Sequence, residues 1–178
     1  MRPFFYWLFG VECVVPGDLI DEAEALLALL RERGLTIATG ESCTGGLITA
    51  VLTAVAGSSD VVDRGFVTYT NAAKTDMLGV PAALIEQHGA VSREVSVAMS
   101  KGILAVCPVD IAVSVTGIAG PGGGSEEKPV GLVYISAGSR EGTISTRACK
   151  FGDIGRNEVR IASVHTAFEL VREVLGEE

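Results

Sequence analysis

The sequence is short of most residues that announce a chemistry. It has two histidines, His88 and His165, one in a helix-ending His-Gly pair and one beside the apolar stripe of a helix, so both read as structural and a Ser-His-Asp arrangement is not expected. Its four cysteines, Cys13, Cys43, Cys107 and Cys149, stand far apart with no CxxC pair. That excludes a zinc ribbon and a thioredoxin-like motif, and reduced thiols in a cytoplasmic protein are the simplest reading. No acidic or histidine cluster has metal-ligand spacing, so neither a metal nor a cofactor is expected. The formal net charge is −8 and no run of five basic residues occurs, which argues against a nucleic-acid partner. No apolar stretch reaches the roughly 18 to 20 residues that span a bilayer, so no membrane association is expected. Aromatics are few as well, and Phe4, Phe5, Tyr6, Trp7 and Phe9 crowd the start. This cluster has no small-residue cleavage site behind it, and residues 1–17 read as an N-terminal extension rather than a signal peptide. With the overall apolar excess, it suggests a homodimer.

What the chain has in excess is glycine, 22 among 178 residues, in an otherwise ordinary globular composition. Residues 35–56 are the organising stretch. The apolar run 35–38 predicts a buried strand, and Ile48, Val51, Leu52 and Val55 recur at helical spacing. Between them lies Glu41-Ser42-Cys43-Thr44-Gly45-Gly46. At such a turn the free N–H groups and the positive end of the helix dipole converge, predicting a cradle for an anion or a developing oxyanion. Ser42 is then either a helix cap or a nucleophile, and Cys43, a thiol at a helix start, is its rival.

The remaining elements follow from spacing and punctuation. A helix over 19–33 is expected behind Asp18 as cap, with Leu19, Ala23, Leu26, Leu27 and Leu30 buried and Gly34 as its stop. A strand is expected over 64–70, where Tyr69 beside Val67 reads on its own as core. Asn71 is the expected cap of a short helix over 72–78. Lys74 falls in its first turn, where a cation opposes the dipole, so either it is exposed or it has another role. A second short helix starts at Pro81, and a longer one runs from Ser92 to Val106 with Val95, Met99, Ile103 and Val106 inward. A strand over 110–117 leads into a second glycine-rich loop, 117–125, and strands over 130–137 and 143–151 form a hairpin. In the last helix, 154–175, Ile161, Val164, Phe168, Val171 and Leu175 face the core. Arg156 and Arg160 near its start are better explained by an anionic ligand than by the dipole. The pattern predicts an α/β fold, a three-layer α/β/α sandwich on a mixed sheet, in a single domain over 18–178.

Five blocks are recognisable together: GluSerCysThrGlyGly at 41–46, GlyPheValThrTyrThrAsnAlaAlaLys at 65–74, HisGlyAlaValSer at 88–92, ThrGlyIleAlaGlyProGlyGlyGlySer at 116–125 and LysProValGlyLeuValTyr at 128–134. In matching order they resemble the C-terminal domain of the CinA (competence/damage-inducible) family over about residues 18–175. The resemblance implies a CinA C-terminal-like fold and an amidohydrolase that converts nicotinamide mononucleotide to nicotinate mononucleotide and ammonia. Two-domain members carry an additional ADP-ribose-hydrolysing domain, and the chain looks like the stand-alone form. Carried over by residue, the family's site falls on Ser42, Tyr69, Lys74, Thr116 and Arg156. Ser42 is expected as nucleophile or as the residue orienting a water, Lys74 as general base, and Tyr69 as relay or leaving-group donor. The N–H groups of Cys43, Thr44, Gly45 and Gly46 form the expected oxyanion hole. Arg156, Thr116 and the loop glycines Gly117, Gly120 and Gly123 are expected to hold the phosphate. Two other readings stand beside this one: a nucleotide-binding module without catalysis, and an amidase for a different small amide.

Overall fold

The computed structural model describes residues 15–177; Cys13 and all of the expected extension but residues 15–17 lie outside the described residues. The chain opens with α1 (Gly17–Glu32), which buries Leu19, Ala23, Leu26, Leu27 and Leu30 along one stripe. Its cap position is Pro16, not the expected Asp18, which falls in the first turn. Proline suits the entry because its fixed φ leads into a helix and it brings no N–H to satisfy. Strand β1 (Ile37–Glu41) is buried at every position. It runs beyond the apolar run because Thr39, Gly40 and Glu41 are accommodated inside, Glu41 by bonds described below. Then follow α2 (Leu47–Thr53), β2 (Val62–Val67), α3 (Asn71–Leu78), α4 (Ala82–His88) and α5 (Arg93–Val106). The chain closes with β3 (Ile111–Gly117), β4 (Leu132–Ser139), β5 (Ile144–Lys150) and α6 (Arg156–Val174).

Three local expectations shift. The cap of α3 is the Thr70 hydroxyl, which accepts from the Ala73 N–H at 3.1 Å, so Asn71 is already helical. Val106 is exposed, because Cys107, four residues after Ile103, takes the inward position one turn on. Strand β2 ends at Val67, and Tyr69 is 57% exposed rather than core.

The five strands lie in the order β2-β1-β3-β4-β5. Strands β2, β1 and β3 are mutually parallel, and β4 and β5 return antiparallel, giving the mixed sheet. One face is packed by α1, α2 and α6 around Leu26, Ile48, Val113 and Phe168, and the other by α3, α4 and α5 around Leu78, Met99 and Ile103. This is the three-layer α/β/α sandwich. Gly102 sets the distance between α3 and α5: a Cβ there would stand 2.0 Å from the Leu78 carbonyl oxygen. The parallel strands all end at one edge, so the 42–46 turn, the 68–74 segment and the 117–125 loop meet there, where such sheets bind ligands.

Candidate active site

Ser42 continues the sheet by one bond, its N–H donating to the Val115 carbonyl at 3.0 Å, and the turn then lifts its side chain off the end of β1. Lys74 reaches it from the first turn of α3. The lysine is 1% exposed, and its Nζ lies 2.9 Å from Ser42 Oγ and 2.8 Å from the Thr68 carbonyl oxygen. Thr68 is itself pinned to the end of β1, its N–H donating to the Glu41 carbonyl at 2.7 Å. The serine hydroxyl and the amine are therefore referenced to the same strand end. Burial pulls the Lys74 amine down from 10.5 to about 8, so a usable fraction is uncharged near neutral pH and able to take a proton from the serine. Of the two readings of Lys74, exposed charge or special role, the burial removes the first.

The turn is not the open anion cradle that its sequence suggests. The Glu41 side chain, fully buried, turns back and accepts from the N–H groups of Gly46 and Ile48 at 3.0 Å and of Thr49 at 2.8 Å. The hydroxyls of Thr44 and Thr49 add bonds of 2.7 Å each. The start of α2 is capped by the protein's own carboxylate, and Gly45 N–H is committed to the Ser42 carbonyl at 3.0 Å. Of the expected oxyanion donors, Gly45 and Gly46 are therefore spent. Among the described residues, the N–H groups of Cys43 and Thr44 are left without a carbonyl or carboxylate acceptor. Gly46 has φ +96°, a left-handed conformation that frees its N–H to face Glu41 at little cost.

Cys43 packs into the hydrophobic core with 6% exposure, and burial pushes its thiol up to about 12. A thiol so placed stays protonated near neutral pH, the opposite of the activated thiol that a helix start suggests. The two histidines are elsewhere. His165 Nδ1 lies 2.8 Å from Glu22 Oε1 on α1, and His88 Nδ1 lies 3.7 Å from Glu94 Oε2 on α5.

The second glycine loop is open: residues 121–127 are exposed. Arg156, at the start of α6, donates to the Gly120 carbonyl at 2.9 Å and to the Tyr69 hydroxyl oxygen at 2.8 Å, tying the loop to the segment that carries Lys74. Three of its five N–H groups remain for a ligand. Arg160 donates from Nε and an Nη to the Thr44 carbonyl, at 3.1 and 2.8 Å, which ties the start of α6 to the 42–46 turn. Thr116 is 1% exposed and gives its proton to the Ala90 carbonyl at 2.8 Å, so it anchors the segment before α5 and offers no free donor. Gly117 is a strand residue paired with Val133, close-packed because a Cβ would lie 2.8 Å from the Leu132 carbonyl oxygen. Gly120 and Gly123, both at φ +85°, shape the loop itself.

Sequence reasoning missed Glu41 and the carbonyl of Thr68. The available signal for Glu41 was an acid standing just ahead of a helix-opening glycine pair, where a side chain can reach forward onto free N–H groups. Among the described residues, no group of three or more His, Cys, Asp or Glu is placed to hold a metal ion. No described helix is long and apolar enough to cross a membrane.

The model of the CinA C-terminal domain matches residues 20–175. The chain belongs to the CinA C-terminal domain family. Escherichia coli PncC, a nicotinamide-nucleotide amidohydrolase, is 49% identical over 145 residues, covering 81% of this chain and 87% of PncC. A CinA-like protein of Citrifermentans bemidjiense is 52% identical over 153 residues, or 85% of this chain, but those residues are only 36% of that protein. The chain thus spans little more than a third of the length of such CinA-like relatives. The crystal structure of the competence/damage inducible protein CihA of Agrobacterium tumefaciens matches with a TM-score of 0.90 and 49% identity over 92% of this chain and 99% of that one.

Proposed function

We propose that the protein hydrolyses the carboxamide of nicotinamide mononucleotide, giving nicotinate mononucleotide and ammonia. The observation that carries the reading is the buried pair of Ser42 Oγ and Lys74 Nζ at 2.9 Å, with the amine pulled down to about 8. The identity with PncC over most of that protein's length supports the substrate.

In this reading the uncharged Lys74 amine accepts the Ser42 proton as Oγ bonds to the amide carbon. The carbonyl oxygen becomes an oxyanion, for which the N–H groups of Cys43 and Thr44 are the donors left in the turn. The C–N bond then breaks, ammonia leaves with a proton returned from the lysine side, and Ser42 holds an acyl ester. Water, deprotonated by the same amine, attacks that ester and releases the carboxylate product. Tyr69 accepts its bond from Arg156, which leaves its own proton free to donate outward, the orientation a leaving-group donor needs. The remaining N–H groups of Arg156 and the backbone of residues 117–125 take the phosphate.

The test is ammonia release from nicotinamide mononucleotide by the wild type beside Ser42→Ala and Lys74→Ala. Turnover lost in both variants supports the reading. A folded wild type that binds the nucleotide without releasing ammonia would replace it with a binding module, and undiminished turnover in Ser42→Ala would end the serine mechanism.

A further inference from the structure

Among the described residues, Glu41 is the one buried carboxylate, and the mechanism above does not use it. Its Oε2 takes Thr44 Oγ1, Gly46 N and Ile48 N, and its Oε1 takes Thr49 N and Thr49 Oγ1, all within 2.7 to 3.0 Å, with Thr39 Oγ1 at 3.3 Å. The surroundings are built to keep that set complete. Thr39 Oγ1 and Thr49 Oγ1 lie 2.6 Å apart, and Gly65 on β2 leaves room for them, since a Cβ there would stand 2.2 Å from Thr49 Oγ1. The main-chain carbonyl of Glu41 accepts the Thr68 N–H, and the Thr68 carbonyl in turn holds the Lys74 amine.

We infer that Glu41 is a positioning residue for the reaction: its carboxylate draws the first N–H groups of α2 onto itself and so fixes the Ser42 turn against the end of β1. The inference rests on the amidohydrolase reading. Two consequences follow. With Gly46, Ile48 and Thr49 already committed to an internal anion, these N–H groups are not offered to a substrate phosphate, which is left to the Arg156 side. The main chain at Cys43 and Thr44, beside Ser42, is also held in one arrangement before substrate arrives, and a fixed frame is what stabilisation of a developing oxyanion requires.

Glu41→Gln keeps the shape and removes the charge. Either oxygen position faces a main-chain N–H that cannot rotate away, Thr49 at Oε1 and Gly46 and Ile48 at Oε2, so the amide NH2 meets a donor in both orientations. The expected result is a fall in kcat of about 100-fold or more, with the calorimetric affinity for nicotinate mononucleotide within about threefold of wild type and about one site per chain. The stoichiometry separates a displaced turn from a partly unfolded sample. Thr44→Val and Thr49→Val each remove one hydroxyl donor at nearly constant volume, and serve if the glutamine variant does not fold. They should lower kcat by about 5- to 30-fold with KM within about threefold. Unchanged kcat in Glu41→Gln, or in both threonine variants, overturns the inference, as does a joint loss of kcat and product affinity at full stoichiometry. If the wild type releases no ammonia, the amidohydrolase reading falls and positioning is read from the rate at which a sulfonyl fluoride labels Ser42. Labelling slowed about tenfold or more in Glu41→Gln supports the inference on that readout, and equal rates overturn it.

Discussion

Two glycine-rich turns meet at the same edge of the sheet, and they do opposite things. The turn at 41–46 is closed on itself: Gly46 aims its N–H inward at Glu41, Gly45 donates to the Ser42 carbonyl, and the Ser42 hydroxyl faces Lys74. The loop at 117–125 is open, with residues 121–127 exposed and its shape held from outside by Arg156 on the Gly120 carbonyl. Glycine content therefore says that a backbone bends tightly, and the nearest charged side chain says what the bend is for. In the proposed reading an internal acid makes the first turn a rigid support for a nucleophile, and an exposed arginine makes the second a receptor for an anion.

The largest effect that would separate the two belongs to the inner turn. Lys74→Met should lower kcat by about 1,000-fold or more while stabilising the fold by about 1 to 3 kcal/mol at pH 7. The stabilisation follows from the depressed amine. Below pH 8 the folded and unfolded chains both hold the proton, and the cost of burying the charge is carried in full. Between about 8 and the unfolded value of 10.5 the unfolded chain binds more protons, so wild-type stability rises with pH. The variant's advantage should be greatest below pH 8 and fade toward 10.5. Denaturant unfolding of both proteins at pH 7 and pH 10 checks this, and an equal difference at the two pH values would mean that the amine is not held in a depressed state.

The outer loop should respond in affinity. Arg156→Ala removes a bidentate-capable cation and the bond to Tyr69, and KM for nicotinamide mononucleotide should rise by about 10- to 100-fold. The sharper readout is the ratio of wild type to variant on nicotinamide riboside, which lacks the phosphate and should lose most of that penalty. If the ratio is the same for both substrates, Arg156 acts through Tyr69 and the phosphate lies elsewhere.

Much of this arrangement was readable in the chain. The layers and the mixed sheet follow from apolar spacing and helix punctuation, because those patterns state which face of each element is buried, while the grouping of residues 42, 74 and 156 was implied by the resemblance of the ordered motifs to the CinA family. What spacing does not state is where a polar side chain goes once it is inside. Thr116 looks like a ligand donor until its hydroxyl is seen on the Ala90 carbonyl, and nothing in the spacing says that Arg160 would turn to the Thr44 carbonyl. Tyr69 looks like core because it follows a β-branched strand, yet the strand ends two residues earlier. Each of these is decided by a tertiary contact of high sequence separation, which no local pattern encodes.

A smaller effect tests the poise of the lysine. For the wild type, kcat/KM should climb with pH along an acid limb with apparent pKa about 8, falling about tenfold for each pH unit below it. A profile flat from pH 6 to 9 would mean that the amine is not the base.

The smallest effect is expected where the sequence offered the sharpest alternative. Cys43 stands next to Ser42 at a helix start, the setting in which thiols are often activated, yet its side chain points into the core and its thiol is pushed up to about 12. Only its main-chain N–H belongs to the site, and that survives substitution. Cys43→Ala should keep kcat and KM within about threefold and lose about 1 kcal/mol of stability from the small cavity it leaves. Iodoacetamide on the native wild type should leave turnover intact, since an inert thiol behind a packed core neither ionises nor is reached. Rapid inactivation that Cys43→Ala abolishes would instead show that the turn opens far enough to expose the sulfur, and with it the support that Glu41 gives to Ser42. The inner turn would then be an open element like the outer one, and the contrast between them would be one of degree.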